Sequence, residues 1–258
     1  MKLIFPVLAC LLICTPAKAE KTPRFAVAAN MMHVMTEIRE QYRHEQGRSD
    51  ISLVFGSSGN FARQILQGAP FELFLSANKK YVDLLINNGT RPADYREFAL
   101  GRIGYFIPHG SLLSADNSLE EINKSLVNGK YRRLAIANPE YAPYGVAARQ
   151  ALQTAGLWAI ENDKILLGEN IAQAVQFTLS GSVDIGIIPL SYAVLPGTRD
   201  KGKFFLIPEN WHEPIIEYLV LLQGAGSEGK AFYQYLLSGK AAPILKKFGY
   251  VTSNTDND

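Results

Sequence analysis

The sequence is poor in thiols, in histidine and in net charge. Its 258 residues hold two cysteines, four histidines, and 26 Lys+Arg against 24 Asp+Glu. A formal charge of +2 over this length is too small for the counterion release on which nucleic-acid binding depends, so no nucleic-acid partner is expected. The 13 prolines and 21 glycines are scattered, without a collagen-like period. Apart from an apolar run at residues 3–14, no stretch approaches the roughly 20 apolar residues that a membrane span needs. What remains is a globular composition, 47% hydrophobic and 19% charged. The length suits one large domain or two of roughly 100 residues, with no disulfide framework required.

The N-terminal run reads as a signal peptide. Lys2, the apolar residues 3–14 and the small residues Ala17 and Ala19 match the charged, hydrophobic and A-x-A regions of such a segment. The run stops at Thr15-Pro16, short of a transmembrane anchor. A lipid-anchor reading at Cys10 leaves a very short apolar stretch before the cysteine. Cleavage after Ala19 leaves 239 residues without cysteine, a protein exported to the periplasm with no thiol for metal binding or catalysis. Lys2 and Lys18 leave with the signal, so the remainder is formally neutral.

Beyond residue 20 a short apolar strand, a small polar turn and a helix-period segment recur four times. Strands are expected at 24–29, 51–55, 133–137 and 164–167. The helical segments after them carry Met31, Val34, Met35, Ile38 and Tyr42 on one face, or run over 61–66, 146–155 and 171–179. Glycines 47, 68, 156 and 181 close them. This alternation predicts an α/β protein with largely parallel sheets covered on both faces. In such sheets the loops at the carboxyl ends of strands form the binding crevice. Each loop here delivers a helix N-terminus, with unpaired N–H groups and about half a positive charge. Taken singly, Asn30, Ser58 and Asn170 are ordinary helix caps. Four helix starts, at Asn30, Ser58, Tyr144 and Asn170, together predict a buried anion held without Lys or Arg.

The segments FAVAAN (25–30), VFGSSGNFARQILQGAPFELFLSAN (54–78), LAIANPEYAPYGVAARQAL (134–152), GENIAQAVQF (168–177) and DIGIIPLS (184–191) resemble, in order, the periplasmic molybdate-binding proteins that feed an ABC transporter. The resemblance implies a type II periplasmic binding fold: two α/β lobes joined by two crossover strands, closing on one tetrahedral dianion, molybdate or tungstate. Lobe one would comprise 20–102 plus 215–258 and lobe two 103–214, with the crossovers in strands 102–107 and 215–222. It further implies an inner-membrane permease with a cytoplasmic ATPase as partner, a monomer, no catalytic role and no cofactor besides the ligand.

Carried over by position, the resemblance implies contacts from Asn30, from Ser58 with Ser57 beside it, from Tyr144, and from the backbone N–H of Ile171. A tyrosine that gives a further contact in one subgroup is replaced by Pro189. Tyr144 then supplies either the lost hydroxyl or only a backbone N–H. Asn78 stands where Asp is usual, as a turn-stabilising residue. The set is one of neutral donors, and such donors suffice: charge-assisted hydrogen bonds contribute roughly 1.5–3 kcal/mol each, and micromolar binding needs about 8 kcal/mol.

Other readings are weaker. Gly56-Ser57-Ser58-Gly59-Asn60 is one residue away from the G-x-S-x-G nucleophile elbow, and an enzyme on the same scaffold is the alternative. His33, His44, His109 and His212 lie in no triad context. His33 is expected to pack or face the surface, and His44 and His109 to face solvent. Tyr141 and Tyr144 lack the adjacent tyrosine pair of an iron site. Tyr233, Tyr235, Phe248 and Tyr250 fit a final helix packing on lobe one, followed by a polar, disordered tail from Thr252.

Overall fold

The structure is a computed structural model that describes residues 22–47, 50–113, 118–158 and 164–252. The signal segment with its cleavage point after Ala19, and the tail beyond Thr252, lie outside the described residues. Thr252 itself is buried, and Val251 before it pairs with Leu100 through backbone bonds of 2.7 and 3.0 Å. The polar tail therefore begins later than its composition implies.

Two five-stranded mixed sheets form the frame of a two-lobed α/β protein. The first contains β1 (Arg24–Ala28), β2 (Ser52–Gly56), β3 (Leu73–Ser76), β4 (Asp94–Gly101) and β10 (Ile215–Leu221), in the order β2-β1-β3-β10-β4. The second contains β5 (Ile103–Pro108), β6 (Leu134–Ala137), β7 (Ile165–Gly168), β8 (Ile185–Pro189) and β9 (Gly202–Leu206), in the order β7-β6-β8-β5-β9. In each sheet the first three strands are parallel and the last two antiparallel to their neighbours. The fourth strand of each, β10 or β5, is the one the chain enters after crossing from the other sheet. One crossing falls at Arg102, the first residue of the stretch 102–107 expected to carry it, and the other between Leu206 and Ile215, just before the strand 215–222 expected to carry it.

The inner strands are apolar on both faces, as strands covered by helices must be. Phe25 through Ala28, Leu73 through Ser76, Leu134 through Ala137 and Ile185 through Pro189 are all buried. The covering helices are α1 (Met32–Gln46), α2 (Ser58–Leu66), α3 (Lys79–Asn87), α4 (Leu119–Val127), α5 (Pro143–Thr154), α6 (Ile171–Leu179), α7 (Leu190–Ala193), α8 (Pro196–Arg199), α9 (Ser227–Leu237) and α10 (Ala242–Lys247). Helix α1 buries Val34, Met35, Ile38 and Tyr42, the face expected from spacing, and ends at Gly47 with φ of 74°. Two helices start earlier than periodicity predicts. Pro143 opens α5 because its fixed φ suits the first helical position, where its missing N–H costs nothing. The aromatic C-terminus packs on the first lobe as expected but not as one final helix: Tyr233 and Tyr235 lie in α9, Phe248 and Tyr250 just after α10, and all four join Phe25, Ile38 and Tyr42 in one core.

Candidate functional site

Strands β1 and β2 of one sheet and β6 and β7 of the other end beside one another, and each chain segment leaving them turns into a helix. Ala28–Asn30, Gly56–Ser58, Ala142–Tyr144 and Asn170–Ile171 line one hollow of about 190 Å³, partly open to solvent. That is room for one small ion or water rather than for an organic solute, whose pockets run to several hundred Å³. The structure thus brings Asn30, Ser57, Ser58, Tyr144 and Ile171 together on a single cavity.

Each segment presents donors for a local structural reason. Ser57 occupies the cap position of α2 in extended backbone (φ −81°, ψ 143°), yet its hydroxyl makes no capping bond. It is 4% exposed, and its Oγ has no partner among the described residues. A buried hydroxyl without a partner is costly, on the order of 1–3 kcal/mol, and calls for a reason. Ser58 is fully buried and its Oγ accepts from the Ala77 N–H at 3.1 Å, which leaves its own proton to donate. In α5 the N–H groups of Gly145 and Val146 already donate to Ala142 O at 2.9 and 3.1 Å, and Pro143 has none. The Tyr144 N–H is the one left over. In α6 Asn170 is a true cap: its side chain accepts from Gln173 N at 3.2 Å and its carbonyl from Ala174 N at 3.3 Å. The N–H groups of Ile171 and Ala172 have no intrahelical acceptor.

The remaining two residues are wired into a polar cluster behind the hollow. Asn30 Nδ2 donates to Glu217 Oε1 at 2.7 Å and lies 2.9 Å from the Tyr250 hydroxyl and 3.2 Å from the Tyr144 hydroxyl. The Tyr144 hydroxyl also donates to Glu217 Oε1 at 3.2 Å. The Tyr144 hydroxyl is therefore engaged with Glu217 and Asn30, and its backbone N–H is the group without an acceptor in the helix. The Asn30 carbonyl accepts from Ser191 Oγ at 2.9 Å and from Tyr250 at 3.0 Å, and the Tyr192 hydroxyl donates to Ala29 O at 2.9 Å. Pro189 ends β8 and does not line the cavity; the side chains that reach the first lobe from there are Ser191 and Tyr192.

Electrostatics at the site come from dipoles. No Lys, Arg or His lines the cavity, whereas the starts of four helical segments do. Burial pushes Glu217 up to about 8 against the hydrogen bonds from Tyr144 and Asn30, so at neutral pH it is predominantly uncharged and does not cancel that positive potential. Burial, with Tyr250 and Glu217 alongside, also raises Tyr144 well above the usual tyrosine range, so its hydroxyl keeps its proton. Bonds across the rim hold the lobes together: Gly59 N–H to Tyr141 O at 2.9 Å, Asn60 Nδ2 to Glu169 Oε1 at 3.0 Å, and the Arg63 guanidinium 4.7 Å over the Tyr141 ring.

Catalytic and metal readings find no support in this geometry. Ser57 and Ser58 have no histidine on the same cavity. His33 packs edge-on against Tyr192 with centroids 4.8 Å apart, His212 Nδ1 lies 2.7 Å from Glu213 O, and His44 and His109 are exposed. Among the described residues no cluster of three His, Cys, Asp or Glu is placed to hold a metal ion. Asn78 accepts from Lys80 N at 2.7 Å and caps α3, a turn role.

Two lobes that present neutral donors at helix starts to an ion-sized cavity define a solute-binding protein. The chain belongs to the bacterial extracellular solute-binding proteins, whose family model matches residues 23–251. Among its relatives are molybdate-binding proteins ModA. It is 33% identical over 250 residues to the one from Azotobacter vinelandii, covering 93% of each chain. It is 31% identical over 230 residues to that of Rhodobacter capsulatus, covering 88% of this chain and 87% of the other. The solved structure of the Azotobacter vinelandii periplasmic molybdate-binding protein matches with a TM-score of 0.79 at 27% identity, over 89% of this chain and 98% of that one. These relatives are binding proteins, and this chain is a binding protein rather than an enzyme.

Proposed function

We propose that this protein captures molybdate, and tungstate with it, in the periplasm and delivers it to an ABC permease driven by a cytoplasmic ATPase. The observation that carries the reading is the unpartnered Ser57 hydroxyl, set beside the Ser58 proton and the free N–H groups of Tyr144 and Ile171 on a cavity of one ion's size. All are donors. A dianion desolvated there gains several charge-assisted hydrogen bonds and the fields of converging helix ends. Hydrogen phosphate carries an O–H that needs an acceptor, which this donor set disfavours. Sulfate is unprotonated but smaller, so its oxygens stretch every bond at once.

In the same reading the secreted form starts after Ala19 and acts as a monomer. Lobe one comprises residues 20–102 with 215–258, lobe two 103–214, and the ion sits between them. Calorimetric titration with molybdate, tungstate, sulfate and phosphate tests this directly. Saturable heat with the first two is expected. Saturation by sulfate or phosphate alone would replace the reading with a receptor for another small oxyanion. Ser58→Ala and Asn30→Ala are each expected to weaken molybdate binding by about 1–3 kcal/mol with the fold intact. Unchanged affinity in both would remove them from the site.

A further inference from the structure

Glu217 is fully buried, touches two residues of the cavity wall, and has no role in the ligand set described above. Only its Oε1 receives donors; its Oε2 has no partner among the described residues. An ionised carboxylate needs donors on both oxygens, so a half-met carboxyl in a dry interior is the environment of the neutral acid. The groups that face it are the Tyr144 hydroxyl from α5, the Tyr250 hydroxyl from the C-terminal segment and the Asn30 amide. From β4 come only Ala99, its register partner, and Gly101. Neighbouring Tyr218 bonds Glu97 instead, at 3.0 Å. No described Lys, Arg, His or second carboxyl neutralises it.

The Asn30 amide sets the problem that Glu217 solves. Its Nδ2 is turned to three oxygens behind the cavity, at 2.7, 2.9 and 3.2 Å. In that orientation the amide spends its N–H groups behind the cavity and has none to give to an anion. Half a turn about χ2 exchanges the two ends at no cost in shape. Turned, Nδ2 faces the anion and Oδ1 faces Glu217, Tyr144 and Tyr250. The Tyr144 and Tyr250 protons are already given to Glu217 Oε1 and to the Asn30 carbonyl, so the donor for the turned amide is Glu217, and a carboxylate cannot serve.

We propose that Glu217 is a positioning residue of the binding site: as the neutral acid it donates to Asn30 Oδ1 and thereby holds the Asn30 N–H groups toward the oxyanion. This rests on the oxyanion-receptor reading above. Binding then requires the acid form, and above the pH at which Glu217 ionises in the free protein, capture of a dianion takes up one proton from solvent. The burial that pushes this carboxyl up to about 8 puts that threshold within reach of experiment. The sign follows from linkage: the anion raises the affinity of Glu217 for its proton, so the proton raises affinity for the anion by the same factor. Affinity is flat below the threshold and falls toward tenfold per pH unit above it.

The test is molybdate calorimetry on the wild type and on Glu217→Gln, from about pH 6 to about pH 9, in buffers of differing ionisation enthalpy. Molybdate stays dianionic over that range. The wild type is expected to lose affinity toward the alkaline end and to take up close to one proton per ion there. Glu217→Gln donates from its amide at every pH, so it is expected to bind at acid pH within a few-fold of wild type, with no uptake and a flat profile. Equal slopes in the two proteins, or no wild-type proton uptake at the alkaline end, would overturn the assignment. So would a folded Glu217→Gln variant that does not bind. If the variant does not fold, wild-type proton uptake decides alone. Molybdate binding without pH dependence removes only this inference. No molybdate heat at any pH removes the receptor reading and this inference with it.

Discussion

Replacing Ser57 by Asp is expected to abolish oxyanion binding while leaving the fold as stable as before, or more so. Ser57 has the backbone of a helix cap and does not use its side chain as one. Asp is among the best capping residues, and a carboxylate at a helix start gains from the dipole. The same carboxylate takes the place of the ligand. At about 4 Å and an effective dielectric of 20, two like charges repel by about 4 kcal/mol. Against a dianion the loss is at least roughly a thousandfold in affinity. Thermal unfolding without anion and calorimetry with molybdate separate the two effects. Wild-type affinity in Ser57→Asp would place the anion elsewhere.

Gly145→Ala is expected to cost both stability and binding. A Cβ at Gly145 would stand 2.2 Å from Ala137 O and 2.8 Å from the carbonyl carbons of Ala137 and Asn138. These are backbone atoms at the end of β6, so no rotamer change relieves the clash. The start of α5 must move away from the strand, carrying the Tyr144 N–H and hydroxyl out of register with Ser57 and Glu217. Overpacking of this kind costs about 1–3 kcal/mol or more. A melting temperature lower by several degrees, together with a large loss of affinity, is the expected result. Wild-type values for both would show that the α5 start has slack that the geometry denies.

The wall of the cavity was legible in the sequence because it is made of local signals. Strand, small turn and helix start are encoded within a dozen residues each, and the runs at 25–30, 54–61, 134–146 and 168–171 carry all three. The cluster behind the wall was not legible, because it joins residues far apart in the chain. Asn30 meets Tyr144, Glu217 and Tyr250 across separations of 114 to 220 residues. Tyr250 read as one aromatic among several near the C-terminus, and its hydroxyl is what distinguishes it. Glu217 did leave a trace: it is the only charged residue in the otherwise apolar strand from Ile215 to Leu221. A lone carboxyl inside a buried strand is costly and so calls for a reason. The difference between Ser57 and Ser58 also needed coordinates, since both are buried and only their partners differ.

The strand order has a consequence for how the molecule is assembled. All strands of the second sheet lie within residues 103–206, so that lobe is complete once one continuous stretch of chain is available. The first sheet is interrupted: β10, which separates β3 from β4, arrives more than a hundred residues after either. Pairing it requires closure of a long loop, which makes contacts of high sequence separation slow to form. The first lobe is therefore expected to be the last to close. Until it does, β3 shows a bare edge, and Glu217 waits on the arriving strand outside the cluster it completes.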